Sequence, residues 1–250
     1  SAEAIQSYAS AIVGFLRDRG CREIVVACNS ASAVAMEVLE TAYPDLIFYN
    51  VIDPVVDFVV NLPIQSVGVI GTRATVKSGV YPAKLAAKRP DLAVYSLATP
   101  LLVPVIEEGF INTPISRSVI EQYMADPQLG NMEALVLGCT HYPLAYDEFR
   151  QLLPAEIDIL NTPEVVAAYV KHAVEARRVD GSPDAHSVAE SALTPISDDV
   201  SREASSGEAH SEPPRGKATF YLSDYSQQFA DLATRFYGEP MNWKLQRLDG

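Results

Sequence analysis

Two cysteines each close an apolar run and open a helical one: Cys28 in I-V-V-A-C-N-S-A-S-A and Cys139 in A-L-V-L-G-C-T-H-Y-P-L. A thiol with the reference pKa of about 8.5 is only slightly ionised at neutral pH, but a helix start or a nearby cation lowers that value. Either cysteine is then competent as a base, and its protonated form as an acid. Their matched settings suggest one active site built from both halves of the chain. Cys21, which follows Arg19-Gly20 at a helix end, reads instead as a small half-buried filler. The three cysteines form no C-x-x-C and leave one over from any disulfide, so reduced thiols are favoured over a zinc site or an oxidised scaffold.

Short polar side chains cluster beside both thiols. Asn29, Ser30 and Ser32 follow the first, and Thr140 and His141 the second, as donors suited to a substrate carboxylate and ammonium. His141, two residues from a candidate base, is placed to orient or acidify that thiol. Pro143 suits the first turn of the ensuing helix. A third turn, V-I-G-T-R-A-T at 69–75, offers the Thr72 hydroxyl and backbone amides as an anion cradle, although it matches neither G-x-G-x-x-G nor the Walker pattern. Arg73 and Lys77 fit solvent as well as substrate. Glu107 and Glu108 end L-L-V-P-V-I-E-E-G, and only a partner such as His141 would make either one half of a catalytic dyad.

These residues need a scaffold that brings strand ends together, and the chain alternates strand and helix as such a scaffold requires. Ile5, Tyr8, Ala9, Ile12, Val13 and Leu16 fall at helical spacing over 3–19, with Gly20 as the C-cap. Strands are expected at 24–27, 47–52, 67–70, 92–97 and 134–137. Helices are expected at 31–43, near 79–89, from about 101, at 115–125 and at 144–152. Strands apolar along their whole length argue for parallel sheets covered on both faces, with ligands beyond the strands' carboxyl ends. Both cysteines fall there.

Composition bounds the rest. The chain has 250 residues, 48% hydrophobic and 20% charged, enough for one large domain or two small ones. A net charge of −13 argues against nucleic acid or an anionic membrane as a partner. There is no apolar run of about eighteen residues and no signal-peptide pattern at the start, so a cytoplasmic location is expected. The Ser-, Glu-, Asp- and Pro-rich stretch at 180–217 reads as a disordered insertion. Order is expected again from A-T-F-Y-L at 218–222, a strand, followed by a helix at 225–237 that closes the tail onto the first sheet.

Taken together, A-C-N-S-A-S at 27–32, I-G-T-R-A-T-V-K-S-G-V-Y at 70–81, P-L-L-V-P-V-I-E-E-G at 100–109 and G-C-T-H-Y-P-L at 138–144 closely resemble the glutamate racemases of the aspartate/glutamate racemase superfamily. The resemblance covers residues 1 to about 178 in order, and F-Y-L-S-D at 220–224 is similar to the family's final strand. It implies two flavodoxin-like parallel-sheet α/β domains related by a pseudo-twofold axis, with glutamate between them and no cofactor or metal. The expected division is residues 1–53 plus 218–250 for the first domain and 54–178 for the second. Inverting an α-carbon requires removal of a proton from one face and delivery to the other, hence two acid/base groups. By the family's pattern, Cys28 acts on the D-enantiomer and Cys139 on the L-enantiomer. Asn29, Ser30, Thr72, Thr140 and His141 match substrate-binding positions, and His141 with Glu107 matches a pair that assists the second cysteine. The resemblance also carries the expectation of a cytoplasmic enzyme supplying D-glutamate for peptidoglycan, and leaves a homodimer open.

The chain departs from that pattern at its start. The family's D-S-G-x-G-G, whose Asp assists the first cysteine, and its P-Y-G segment do not occur here, so an amino-terminally truncated copy lacking the first domain's opening strand is expected. N-T-P-E at 161–164 stands where an I-D-S-type turn is usual. Two alternatives stay open: a related racemase acting on aspartate or a hydantoin, and a non-catalytic glutamate-binding fragment. A Cys–His hydrolase fits less well, since it leaves the second thiol unexplained.

Overall fold

The computed structural model describes residues 1–180, 219–223, 230, 233–234 and 243–246. The expected insertion at 180–217 lies outside these residues apart from its first position, as does most of the expected helix at 225–237.

The chain opens with α1 (Ala2–Asp18), capped where the Ser1 hydroxyl accepts from the Ala4 amide at 3.3 Å. It ends as Gly20 turns left-handed at φ 86°, which lets the Gly20 and Cys21 amides reach the carbonyls of Arg17 and Leu16. Then come β1 (Glu23–Val26), α2 (Asn29–Val34), α3 (Met36–Ala42) and β2 (Ile47–Asn50), with β1 and β2 parallel and Ile24 opposite Phe48. The single helix expected at 31–43 is broken at Ala35, φ −112°. At the break the Gln6 side-chain amide donates to the Val34 carbonyl at 2.8 Å. Val13, Ile24, Val26, Leu39 and Leu46 form this sheet's core. Tyr8 and Ile12 face outward, so α1 turns only part of its apolar stripe inward.

Three helices were not expected: α4 (Asp53–Val60), α5 (Arg73–Ser78) and α10 (Thr162–Asp180). Asp53-Pro54 reads as a strand stop, yet the Asn50 side-chain oxygen accepts the Ile52 and Asp53 amides, and Pro54 occupies the first turn, where it needs no donor. Val55, Val56 and Val59 face inward.

The larger sheet is wholly parallel, in the order β4 (Ala93–Ala98), β3 (Ser66–Gly71), β5 (Ala134–Gly138), β6 (Asp158–Leu160). Every residue of β3 and β5 is buried, as apolar runs without alternation require. Leu135 and Leu137 point to one core with Ile70, Ile106, Ile120 and Phe149; Ala134 and Val136 point to the other with Val56, Val59, Tyr81 and Leu85. The covering helices are α5 (Arg73–Ser78), α6 (Val80–Lys88), α7 (Leu102–Glu107), α8 (Pro114–Met124), α9 (Tyr146–Leu152) and α10 (Thr162–Asp180). A 3₁₀ turn at Tyr142–Ala145 precedes α9. From α10, Val165 enters the larger sheet's core while Tyr169 and Ala173 pack on Tyr49 of β2, so this helix joins the two sheets.

The tail contributes β7 (Phe220–Leu222) and β8 (Trp243–Leu245), which pair in parallel with each other. Tyr221 meets Phe15 of α1 edge-on at 5.0 Å, so the described tail residues touch the first sheet's covering helix rather than extending that sheet. The class is α/β with parallel sheets, as expected. Among the described residues, no helix is long and apolar enough to cross a membrane, and no group of three or more His, Cys, Asp or Glu side chains could hold a metal ion.

Candidate active site

Cys28 caps α2 beyond the carboxyl end of β1, with extended backbone (φ −78°, ψ 120°) and an exposed side chain. Cys139 follows β5 and is buried, 6% exposed. The two thiols thus leave corresponding ends of different sheets. The turn before Cys139 admits only glycine, because a Cβ on Gly138 would lie 2.7 Å from the Ile70 carbonyl oxygen. That close approach of β5 to β3 sets where the second thiol emerges.

The expected pairing around Cys139 is present. Its Sγ lies 3.8 Å from His141 Nδ1, and His141 Nε2 lies 3.0 Å from Glu107 Oε1 at the end of α7. A neutral imidazole that donates its Nε2–H to Glu107 turns the Nδ1 lone pair toward the thiol. The structure therefore selects Glu107 over Glu108 as His141's partner. Burial pushes the Cys139 thiol up to about 11; charge on Cys28 and Glu107 acts in the same direction, against the backbone N–H groups of His141 and Tyr142. The expected lowering at a helix start is outweighed here by burial, and the segment that follows is a 3₁₀ turn.

Hydroxyls and an amide link the two sheets at the same place. Ser30 Oγ lies 2.7 Å from Thr72 Oγ1 and 3.2 Å from Thr75 Oγ1, and Thr72 caps α5 by accepting from the Thr75 amide at 3.2 Å. Asn29 Oδ1 accepts from the Tyr81 hydroxyl at 2.8 Å. Thr140 is exposed next to Cys139. Ser32, considered as a donor to substrate, is buried and committed to structure: its Oγ donates to the Val26 carbonyl at 2.8 Å and accepts from the Val51 amide at 3.4 Å. Arg73 and Lys77 are exposed.

Sequence reasoning passed over four supporting residues. Thr75 and Tyr81 reach Ser30 and Asn29 from more than forty residues away. Tyr142 and Thr99, hydroxyl to hydroxyl at 2.7 Å and both fully buried, tie the Cys139 turn to the end of β4. Tyr142 lay inside a quoted motif, and its signal was an aromatic beside a candidate catalytic pair. Thr99 carried no local signal.

The family model for Asp/Glu/hydantoin racemase matches residues 1–170. The glutamate racemase of Aquifex aeolicus is 40% identical over 176 residues, covering 70% of this chain and 67% of that protein. That of Koribacter versatilis is 32% identical over 248 residues, covering 97% of this chain and 81% of that protein. Among solved structures, glutamate racemase from Francisella tularensis subsp. tularensis in complex with D-glutamate superposes with a TM-score of 0.77 at 25% identity, covering 100% of this chain and 82% of that one. Glutamate racemase from Thermus thermophilus in complex with beta-chloro-D-alanine gives a TM-score of 0.71 at 30% identity, covering 99% and 80%.

Proposed function

The chain belongs to the Asp/Glu/hydantoin racemase family, and on that premise we propose that it interconverts L- and D-glutamate with two cysteine bases and no cofactor. What supports the reading is a pair of thiols at strand ends of different sheets, exposed Cys28 and buried Cys139, with His141 and Glu107 beside the second. A pair of protonic groups on opposite sides of a carbon is what inversion demands.

From D-glutamate, the Cys28 thiolate removes the α-proton and the Cys139 S–H delivers a proton to the opposite face. Burial favours that protonated form of Cys139 in the resting site. From L-glutamate the roles exchange, and His141 Nδ1 accepts the Cys139 proton as Nε2–H holds Glu107. The α-carbanion needs its charge drawn into the carboxylate. Asn29, Ser30, Thr72 and Thr140 supply donors for that purpose, each such contact worth about 3 kcal/mol where it tightens in the transition state. Glutamate would sit between domains formed by residues 1–53 with 218–250 and by 54–178. In this reading the enzyme is cytoplasmic and its product feeds peptidoglycan synthesis. Preference for glutamate over aspartate rests on the relatives' names.

The test is substitution of each thiol. Cys28→Ser and Cys139→Ser should each reduce racemisation by at least about a thousandfold, because a serine hydroxyl is a far weaker base at neutral pH. Full activity in both variants would defeat the two-base mechanism.

A further inference from the structure

Tyr81 touches both cysteine-bearing turns and belongs to neither. Its hydroxyl donates to Oδ1 of Asn29, the residue after Cys28, at 2.8 Å. Its ring edge lies beside Gly138, the residue before Cys139, where Cε2 is 3.6 Å from the position a Cβ would take. Both partners of the hydrogen bond are buried, Tyr81 2% and Asn29 6% exposed. Tyr81 sits on α6, in the layer between the smaller sheet's α2 and the larger sheet.

A hydrogen bond across that boundary has two consequences. It orients the Asn29 carboxamide: with Oδ1 taken by the phenol, the N–H2 is the end available to a ligand carboxylate. It also fixes the start of α2, and with it Cys28, against the element on which the Cys139 turn rests. The donor is dependable across pH, because burial, reinforced by the charge on Asp53, holds the phenol well above its ordinary range.

We propose that Tyr81 is a positioning residue for the racemase site: its hydroxyl locks the Asn29 carboxamide toward the substrate carboxylate while its ring spaces the Cys28 turn from the Cys139 turn. The inference rests on the racemase reading for its catalytic consequence, and the contact itself can be checked without turnover. Tyr81→Phe keeps the ring and removes only the hydroxyl. It should raise KM for both enantiomers about five- to tenfold, the range of one neutral hydrogen bond, while kcat changes less. In an Asn29→Ala background the same change should cost less than about twofold, because its route of action is already gone.

Equal losses in both backgrounds would overturn the proposal, and so would a Tyr81→Phe enzyme with unaltered KM. The Asn29 side-chain amide signal in nitrogen-15 NMR, assigned by its disappearance in Asn29→Ala, gives the second readout. Tyr81→Phe should shift it, and an unshifted signal would refute the contact. If the wild-type chain does not racemise glutamate, the functional reading fails, and the NMR readout alone decides whether Tyr81 orients Asn29.

Discussion

At the scale of single residues, Cys139 carries the sharpest physical signature. Its thiol is pushed up to about 11 by burial. A raised folded-state value stabilises the protein fully below the unfolded pKa, and that contribution is lost as pH climbs through the folded one. Wild type should therefore lose stability between about pH 9 and 11 more steeply than Cys139→Ser, by an amount on the order of 2 to 3 kcal/mol. Tyr49 and Tyr142 are also raised by burial, and Cys139 adds to the Tyr142 shift, so the difference between the two proteins' thermal midpoints reads the thiol together with its effect on Tyr142. Parallel pH curves for the two would mean that Cys139 is not desolvated. Both thiols, His141, Ser30, Thr72 and Thr140 could be named as candidates from the sequence because each stands at a strand end inside a local motif. Tyr81 and Thr75 were not, because their partners are 52 and 45 residues distant and no local pattern encodes such a contact.

At the scale of elements, the site depends on how closely β5 approaches β3. A methyl group on Gly138 would press on the Ile70 carbonyl at 2.7 Å, a backbone atom that cannot yield without separating the strands. Gly138→Ala should cost about 2 to 4 kcal/mol of stability by overpacking and should depress racemisation further by displacing Cys139; chemical denaturation with activity measured on the folded fraction separates the two effects. Wild-type stability in this variant would contradict the account of the turn. Most elements were visible in the apolar runs and in the cap at Gly20. α5, α10 and β6 were passed over, and two further elements were misread for identifiable reasons. The helix at 31–43 is interrupted at Ala35, where the Gln6 side chain of α1 also reaches the Val34 carbonyl, and α4 was hidden behind Asp53-Pro54, which marks a strand stop and a helix start equally well.

At the scale of the whole molecule, hydroxyls from the turns after β1 and β3 meet between the two parallel sheets, α10 packs on both, and each candidate cysteine follows the carboxyl end of a strand. The segment at 180–217 was singled out by composition alone. Deleting residues 182–214 should leave racemisation within about threefold of wild type, since a segment of so polar a composition brings little apolar surface to a core; loss of activity in a folded deletion variant would give that segment a role in the site. The central claim is that two thiols work on opposite faces of one α-carbon, and proton NMR of L- and, separately, D-glutamate in deuterated water tests it most directly. Either enantiomer should lose its α-proton signal and yield its mirror image, each exchange abolished by one serine substitution. Persistence of the α-proton in both, with the protein folded and glutamate bound, would contradict the account and leave a binding protein in place of an enzyme.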